Sequence, residues 1–252
     1  MDAFKEEKVE PPKDVHNVAG WNEYWKSALL DGSEREAADR LASDPALPAL
    51  LQRRGVKTIL CAGNGLSQEA PALALHGFDV VALDISPMVA TYSRLSLNEQ
   101  GHALRHIPGF SMGDDGIVRF ETKGPVDPKL CPAIHLSDEF APPGGGSLMF
   151  VTGDLSLKSV CPGPFDAVIE RRTLQLFREA DQLSSLERLV GRLATPGTFV
   201  SQEHRPGKGP DFVNPHFAED WLTEHGFARY NARRLEVNDA APRLAYLMNT
   251  FG

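Results

Sequence analysis

Two glycines and a carboxylate have the residue types and the spacing that suit ligand binding. Gly63 and Gly65 lie in a turn after the apolar run 59–62, and Asp84 follows the next apolar run, 80–83. Glycine lets the backbone bend tightly and approach a ligand closely because it carries no Cβ atom. A helix that begins after the turn presents free backbone N–H groups, and a carboxylate at the end of the next strand accepts hydrogen bonds from a ribose diol. The spacing therefore predicts a nucleotide-type cofactor site at the edge of a parallel sheet.

The segments around this turn alternate between strand and helix patterns. We predict strands at 57–62 and 79–84, with a helix at 67–76 between them. Ser86 and Pro87 suit the N-cap and the first position of the helix that follows. This alternation predicts a parallel sheet with right-handed crossovers.

The N-terminal region has helical patterns. Trp21 and Trp25 are four residues apart and so lie on one face of a helix. Ser33 and Glu36 have the capping-box spacing that opens a second helix, and the leucines within 47–51 indicate a third. We expect the aromatic stripe either to pack against the rest of the domain or to close over the pocket as a lid.

A segment at about 101–147, rich in glycine and proline, interrupts the alternation. Insertions of this length usually carry function or are mobile. Beyond it we predict strands near 148–151, 165–170, 198–201, 227–236 and 243–250, and helices near 183–193 and 221–226. The last two strands, with a turn at Asn238 and Asp239, predict an antiparallel hairpin at the edge of the sheet.

Composition excludes several classes of protein. The 252 residues carry a net charge of −8, which argues against a broad surface for nucleic acid. The three cysteines, Cys61, Cys131 and Cys161, have no metal-ligand spacing, so we expect no metal. The N-terminus is polar, and no apolar run approaches the ~18–20 residues that span a bilayer. We expect a cytoplasmic protein, a monomer or homodimer, without a membrane partner.

Five features together resemble the class I S-adenosylmethionine-dependent methyltransferases. They are Gly63, Gly65, Asp84, the pair at 153–154 and the strand pattern at 165–169. The likeness covers about 56–251, apart from the insertion. A narrower likeness, carried by Trp21, Trp25 and the pair Glu170-Arg171, is to the small-molecule group around thiopurine methyltransferase.

The resemblance and the element order together imply an α/β fold with a doubly wound, mostly parallel seven-stranded sheet that ends in an antiparallel hairpin. The fold is Rossmann-like. We expect an N-terminal helical lead and lid at 1–55, and a methyltransferase domain at 56–252 with the insertion at about 101–147.

The resemblance also implies a set of residues for S-adenosyl-L-methionine. Gly63 and Gly65 would lie under its methionine and ribose part, Asp84 would bind the ribose hydroxyls, and Asp154 would accept a hydrogen bond from the adenine amino group. The full implied set is Cys61, Gly63, Asn64, Gly65, Asp84, Ile85, Ser86, Asp154, Leu155 and Glu170.

Two residues are candidates for catalysis of transfer to a small-molecule acceptor. Arg171 borders the acceptor by resemblance, and arginine makes bidentate contacts to anionic groups; the alternative is that it pairs with surface acids. His204 follows the fifth predicted strand and could act as a general base because histidine titrates near neutrality. A structural or solvated histidine is the alternative there.

The chain departs from the family pattern at two positions. Cys61 stands where the family usually has Asp or Glu, and Ser67 stands where it has a third small residue, often glycine. The missing carboxylate motivates an alternative, a methyltransferase-like binding module without catalysis. A second alternative is a nicotinamide-dependent oxidoreductase, although Gln68 occupies the position of the third glycine of that fingerprint.

Overall fold

The computed structural model describes residues 9, 11–31, 46–90, 93, 110–112, 118–120, 124–125, 133–135, 146–157, 160–161, 163–202, 217–231 and 242–247. Its strands, in chain order, are β1 (Thr58–Ala62), β2 (Asp79–Asp84), β3 (Phe110–Met112), β4 (Val118–Phe120), β5 (Gly124–Pro125), β6 (Ala133–His135), β7 (Ser147–Thr152), β8 (Phe165–Arg171), β9 (Leu193–Gln202), β10 (Ala228–Asn231) and β11 (Arg243–Leu247). The helices are α1 (Val18–Asp31), α2 (Ala46–Arg53), α3 (Glu69–Leu75), α4 (Glu179–Val190) and α5 (Phe217–Glu224), with a 3-10 helix at Leu174–Leu176.

Eight of these strands form one sheet in the order β10-β11-β9-β8-β1-β2-β7-β6. All of its pairs are parallel except the edge pair β6–β7. The run β7-β2-β1-β8-β9 has the 3-2-1-4-5 order of the Rossmann fold, so the order switches between β1 and β8. The prediction of a mostly parallel, Rossmann-like sheet is confirmed.

The predicted terminal antiparallel hairpin is wrong. Strands β10 and β11 are parallel, with Ala228 opposite Leu244 and Asn231 opposite Leu247, and β11 is also parallel to β9. The physical reason is the length of the connection at 232–242: hairpins close over a few residues, whereas parallel neighbours need a long crossover. The predicted turn at Asn238 and Asp239 lies outside the described residues.

The sheet has eight strands rather than the predicted seven because the insertion contributes one. Strand β6 pairs antiparallel with β7, His135 opposite Ser147. An antiparallel edge strand on an otherwise parallel sheet is common, and it covers hydrogen-bonding groups that would otherwise be open. The insertion also forms a small antiparallel sheet in the order β3-β4-β5.

The core has two layers, one on each face of the large sheet. Side chains alternate between the faces along a strand, so Ile59 and Cys61 pack with α2 and α3, whereas Leu60 and Ala62 pack with α4 and α5. A strand buried on both faces reads as a continuous apolar run, which is why β1 was predictable. The layers confirm the doubly wound arrangement.

Several element boundaries differ from the prediction. Helix α4 ends at Val190, and β9 begins at Leu193, five residues before the predicted strand start of 198. Leu183, which the helical spacing places on the apolar face, is 42% exposed. The helix expected from Ser33 lies outside the described residues, and the division at residue 55 remains a prediction.

Candidate functional site

A cleft lies at the carboxyl ends of β1, β2, β7 and β8, at the switch in strand order. The cleft is partly open to solvent, and its wall is mostly apolar with a few polar side chains, as in small-molecule sites. Its polar side chains are Asp84, Asp154 and Thr173. Apolar side chains form most of the remaining wall: Leu83, Ile85, Leu155, Leu176 and Phe177 on the sheet side, and Val15, Trp21 and Trp25 from the N-terminal segment, residues 11–31.

Two side chains of the protein, Thr173 and Trp25, pack directly against the glycine turn. Gly63 and Gly65 have φ values of +63° and +52°, a conformation that side chains disfavour. A Cβ atom on Gly63 would overlap the Thr173 side chain, and one on Gly65 would come within 2.9 Å of the Trp25 ring. The Thr173 hydroxyl donates to the Ala62 carbonyl at 3.2 Å. Glycine at these positions therefore admits Thr173 and Trp25 to the cleft wall.

Asp84 joins the turns that follow β1 and β2. Its Oδ2 accepts the Gly65 N–H at 2.9 Å, and its Oδ1 accepts the Ser86 N–H at 2.9 Å. The residue is 8% exposed, and burial raises its carboxyl pKa to about 6 although these backbone hydrogen bonds lower it. Asp84 thus places a carboxyl that titrates close to neutrality in the cleft wall.

Asp154 supplies the second carboxylate, at the end of β7. Its Oδ1 accepts the Ser156 N–H at 2.7 Å, and its Oδ2 lies 2.5 Å from His16 Nδ1. His16 is half exposed and contacts Phe177 edge-on. A carboxylate has about four acceptor positions, so Asp154 retains capacity for a ligand.

The N-terminal segment forms one wall of the cleft. Trp21 stacks on Trp25 at 6.0 Å and donates from Nε1 to the Val15 carbonyl at 3.1 Å. The Ser86 hydroxyl donates to Asn22 Oδ1 at 2.6 Å, which fastens α1 to the turn after β2. Trp25 Nε1 is buried, and it has no hydrogen-bond partner within the described part of the chain. A buried donor in a cleft wall is what a ligand acceptor would satisfy.

Glu170 lies behind the cleft wall and supports it through hydrogen bonds. Its Oε2 accepts the N–H groups of Thr173 and Leu174 at 3.1 and 3.2 Å, and its Oε1 accepts the Ser201 hydroxyl. Burial raises the pKa of this carboxyl. Glu170 therefore caps the 3-10 helix that brings Leu176 into the cleft, and it is not itself part of the wall.

Arg171 is held in a buried ion pair. Its guanidinium bonds both carboxylate oxygens of Glu69, and its Nη1 donates to Gln202 Oε1 at 2.8 Å. Cys61 is buried close to this pair: burial raises the pKa of its thiol, and the charge of Glu69 raises it further. The predicted alternative is pairing of Arg171 with surface acids; Arg171 does pair with an acid, but Glu69 is buried rather than at the surface. Its catalytic role remains a prediction.

The cleft brings together five members of the predicted site and leaves the other described members outside its wall. Those in the wall are Gly63, Asp84, Ile85, Asp154 and Leu155. Gly65 and Ser86 support Asp84 through their N–H groups, and Asn64 donates from its side chain to the Gly65 carbonyl at 3.0 Å. His204 lies outside the described residues.

Sequence reasoning missed Thr173, Phe177 and Val15 as wall residues. Thr173 and Phe177 follow β8, whose carboxyl end faces the cleft, so a signal for them was present in the strand pattern. Val15 lies before the first helix in a segment without a clear pattern, and no local signal identifies it. Glu69 was also missed, because only the fold brings it to Arg171.

Two features are absent from the described residues. No group of three or more His, Cys, Asp or Glu side chains there could hold a metal ion. No helix in the same residues is long and apolar enough to cross a membrane.

Solved structures with a similar fold include several methyltransferases. The chain is similar to TehB from Haemophilus influenzae (TM-score 0.46, 10% identity, 81% of this chain and 55% of that chain covered). It is similar to an S-adenosylmethionine-dependent methyltransferase from Clostridium acetobutylicum (TM-score 0.43, 14% identity, 71% of this chain and 56% of that chain covered). It is also similar to the glycopeptide N-methyltransferase MtfA complexed with sinefungin (TM-score 0.38, 16% identity, 62% of this chain and 47% of that chain covered). The chain spans about half the length of these three proteins. No protein-family model and no curated protein matches it.

Proposed function

We propose that this chain binds S-adenosyl-L-methionine in the cleft and transfers its methyl group to a small-molecule acceptor. The observation that carries the proposal is the placement of Asp84 and Asp154. Both carboxyls stand at the ends of neighbouring parallel strands, beside the glycine turn, and both open into one cleft. Two acceptors separated by apolar wall suit a ligand with a diol, a flat base and an exocyclic amino group.

The residues present fit this cofactor. Asp84 would hold the ribose hydroxyls, Asp154 the adenine amino group, and Ile85 and Leu155 the faces of the base.

Methyl transfer needs alignment and a dry site more than it needs an acid or base. The bound cofactor supplies an electrophilic methyl group on a sulfonium. The chain's contribution is orientation, which supplies up to roughly 7–11 kcal/mol of a barrier. Trp21 and Trp25 exclude water from the cleft on its N-terminal side. A general base is needed only where the acceptor loses its proton early.

A small acceptor is supported by the partly enclosed, mostly apolar form of the cleft. The net charge of −8 supports the absence of a nucleic-acid substrate. We place the reaction in the cytoplasm, carried out by a monomer or homodimer.

Calorimetric titration with S-adenosylhomocysteine tests the proposal. Asp84→Ala removes the central acceptor, so we expect affinity to fall at least about tenfold. Asp79→Ala, at the opposite end of the same strand, removes an exposed carboxylate that accepts the Ser147 hydroxyl at 2.7 Å, and this variant should bind as the unaltered protein does. Absence of binding heat for the unaltered protein would refute the proposal, and a response to NADH instead would favour the oxidoreductase.

A further inference from the structure

Arg192 is a buried arginine whose donors all serve backbone carbonyls. The residue is 3% exposed and lies between α4 and β9. Its Nη2 donates to the carbonyls of Leu155, Leu157 and Val160 at 2.7, 3.0 and 3.1 Å. Its Nε donates to Val160 and Cys161, at 3.3 and 3.0 Å, and its Nη1 donates to Arg188 at 2.8 Å. Four of these five carbonyls belong to the segment after β7. We call the described residues of this segment, 153–157 and 160–161, the β7 loop.

The β7 loop has carbonyls that regular structure does not satisfy. The four loop carbonyls that Arg192 binds lie outside the strands and helices, and of these the Leu157 carbonyl also accepts the Val160 N–H at 3.1 Å. A buried carbonyl without a partner is costly. The planar guanidinium presents five donors in a fixed fork, and one side chain therefore fixes several points of the loop at once.

The other side of the same loop faces the cleft. Asp154 and Leu155 place their side chains in the cleft wall, while the Leu155 carbonyl is held by Arg192. Arg192 is itself anchored, because its own carbonyl accepts the Phe165 N–H at the start of β8 at 2.8 Å. The sheet thus fixes Arg192, and Arg192 fixes the loop that carries Asp154.

We propose that Arg192 is a positioning residue. It holds the β7 loop in the conformation in which Asp154 accepts a hydrogen bond from the amino group of the bound base. The inference rests on the proposed function. Arg192 does not line the cleft, so its effect on a ligand passes through the β7 loop, whose Asp154 and Leu155 side chains are in the cleft wall. Loss of the guanidinium should weaken recognition of that amino group and leave recognition of the rest of the ligand almost unchanged.

The test compares two ligands, S-adenosylhomocysteine and its 6-oxo analogue S-inosylhomocysteine, by calorimetric titration. We expect the unaltered protein to prefer the amino ligand by at least about tenfold, since Asp154 would face an oxygen in the analogue. In Arg192→Lys, whose single ammonium cannot span the carbonyls, the preference should fall below about threefold. A folded Arg192→Lys protein that keeps the full preference overturns the inference.

Arg54→Lys is the matched control. Arg54 donates to Thr198 Oγ1 at 2.8 Å and to the Gly197 carbonyl at 3.4 Å, towards the amino end of the sheet. Its loss should lower thermal stability and leave the ligand preference unchanged, which separates positioning from general stability. If the unaltered protein binds neither ligand, the proposed function fails; if it binds and only the preference is unmoved, the Arg192 inference fails alone.

A second measurement applies if Arg192→Lys does not fold. The Leu157 and Val160 N–H groups bond within the loop, to the carbonyls of Asp154 and Leu157 at 3.1 Å each. In the unaltered protein their hydrogen exchange should be equally slow with and without S-adenosylhomocysteine, because Arg192 has already ordered the loop. Fast exchange that slows only when ligand binds would overturn the inference.

Discussion

At the scale of single residues, the glycine turn illustrates two separate demands on one position. Gly63 needs a positive φ, and it also needs an empty Cβ position because Thr173 packs directly on it. Gly55 needs only the first, since a Cβ atom there would meet nothing within 4 Å. The two glycines therefore allow the cost of backbone strain to be separated from the cost of crowding.

Replacement of each glycine by alanine measures that difference. Gly55→Ala should lower the free energy of unfolding by about 1–2 kcal/mol, the cost of a left-handed residue. Gly63→Ala should cost a further ~1–3 kcal/mol because Thr173 must move. Chemical denaturation measures both values, and equal losses in the two variants would show that Thr173 yields freely.

At the scale of elements, the N-terminal segment is joined to three loops of the sheet. Trp25 packs on the turn after β1, Asn22 bonds Ser86 after β2, and His16 bonds Asp154 after β7. These are the loops that carry the proposed cofactor residues. The segment therefore acts as a wall whose position depends on polar contacts at its edges.

Asn22→Ala tests the contribution of one such contact. Loss of the 2.6 Å hydrogen bond to Ser86 should cost about 1 kcal/mol, and S-adenosylhomocysteine should dissociate about fivefold faster. Glu23→Ala, the exposed neighbour on the same helix, is the control. Stopped-flow fluorescence of the cleft tryptophans gives the rates, and identical dissociation from the two variants would contradict a role for this contact.

At the scale of the whole molecule, the buried carboxyl of Asp84 makes stability depend on pH. Burial raises its pKa from 3.8 to about 6, so between these values the folded chain keeps a proton that the unfolded chain has lost. The stabilisation is complete below pH 3.8 and is lost as the pH rises through 6. Burial also raises the pKa of Glu170, so the contribution of Asp84 to the pH dependence of stability must be isolated by substitution.

Comparison of the unaltered protein with Asp84→Asn isolates the contribution of Asp84 to the pH dependence of stability. Between pH 4.5 and pH 7.5 the free energy of unfolding of the unaltered protein, relative to that of the variant, should fall by about 2 kcal/mol. Urea denaturation at the two pH values provides the measurement. A constant difference between the proteins would mean that Asp84 keeps an ordinary pKa in the folded state.

Much of the fold was predictable because its signals are local. A strand buried on both faces shows as a continuous apolar run, and a turn that needs positive φ shows as glycine, so β1, the glycine turn and β2 follow from a few neighbouring residues. The N-cap role of Ser86 is of the same kind and is confirmed by the Met88 N–H, which bonds its hydroxyl at 3.3 Å. From these patterns the sequence by itself determined a Rossmann-like sheet and the positions of Asp84 and Asp154 at its carboxyl edge.

The tertiary structure decided which side chains meet. Arg171 bonds to Glu69, which is 102 residues away in the sequence, and His16 bonds to Asp154, which is 138 residues away. The direction of β11 and the place of Arg192 behind the β7 loop were likewise set only by packing. Such contacts depend on the path of the whole chain, and no short segment encodes them. Local patterns therefore gave the location of the cleft, and long-range packing determined its walls.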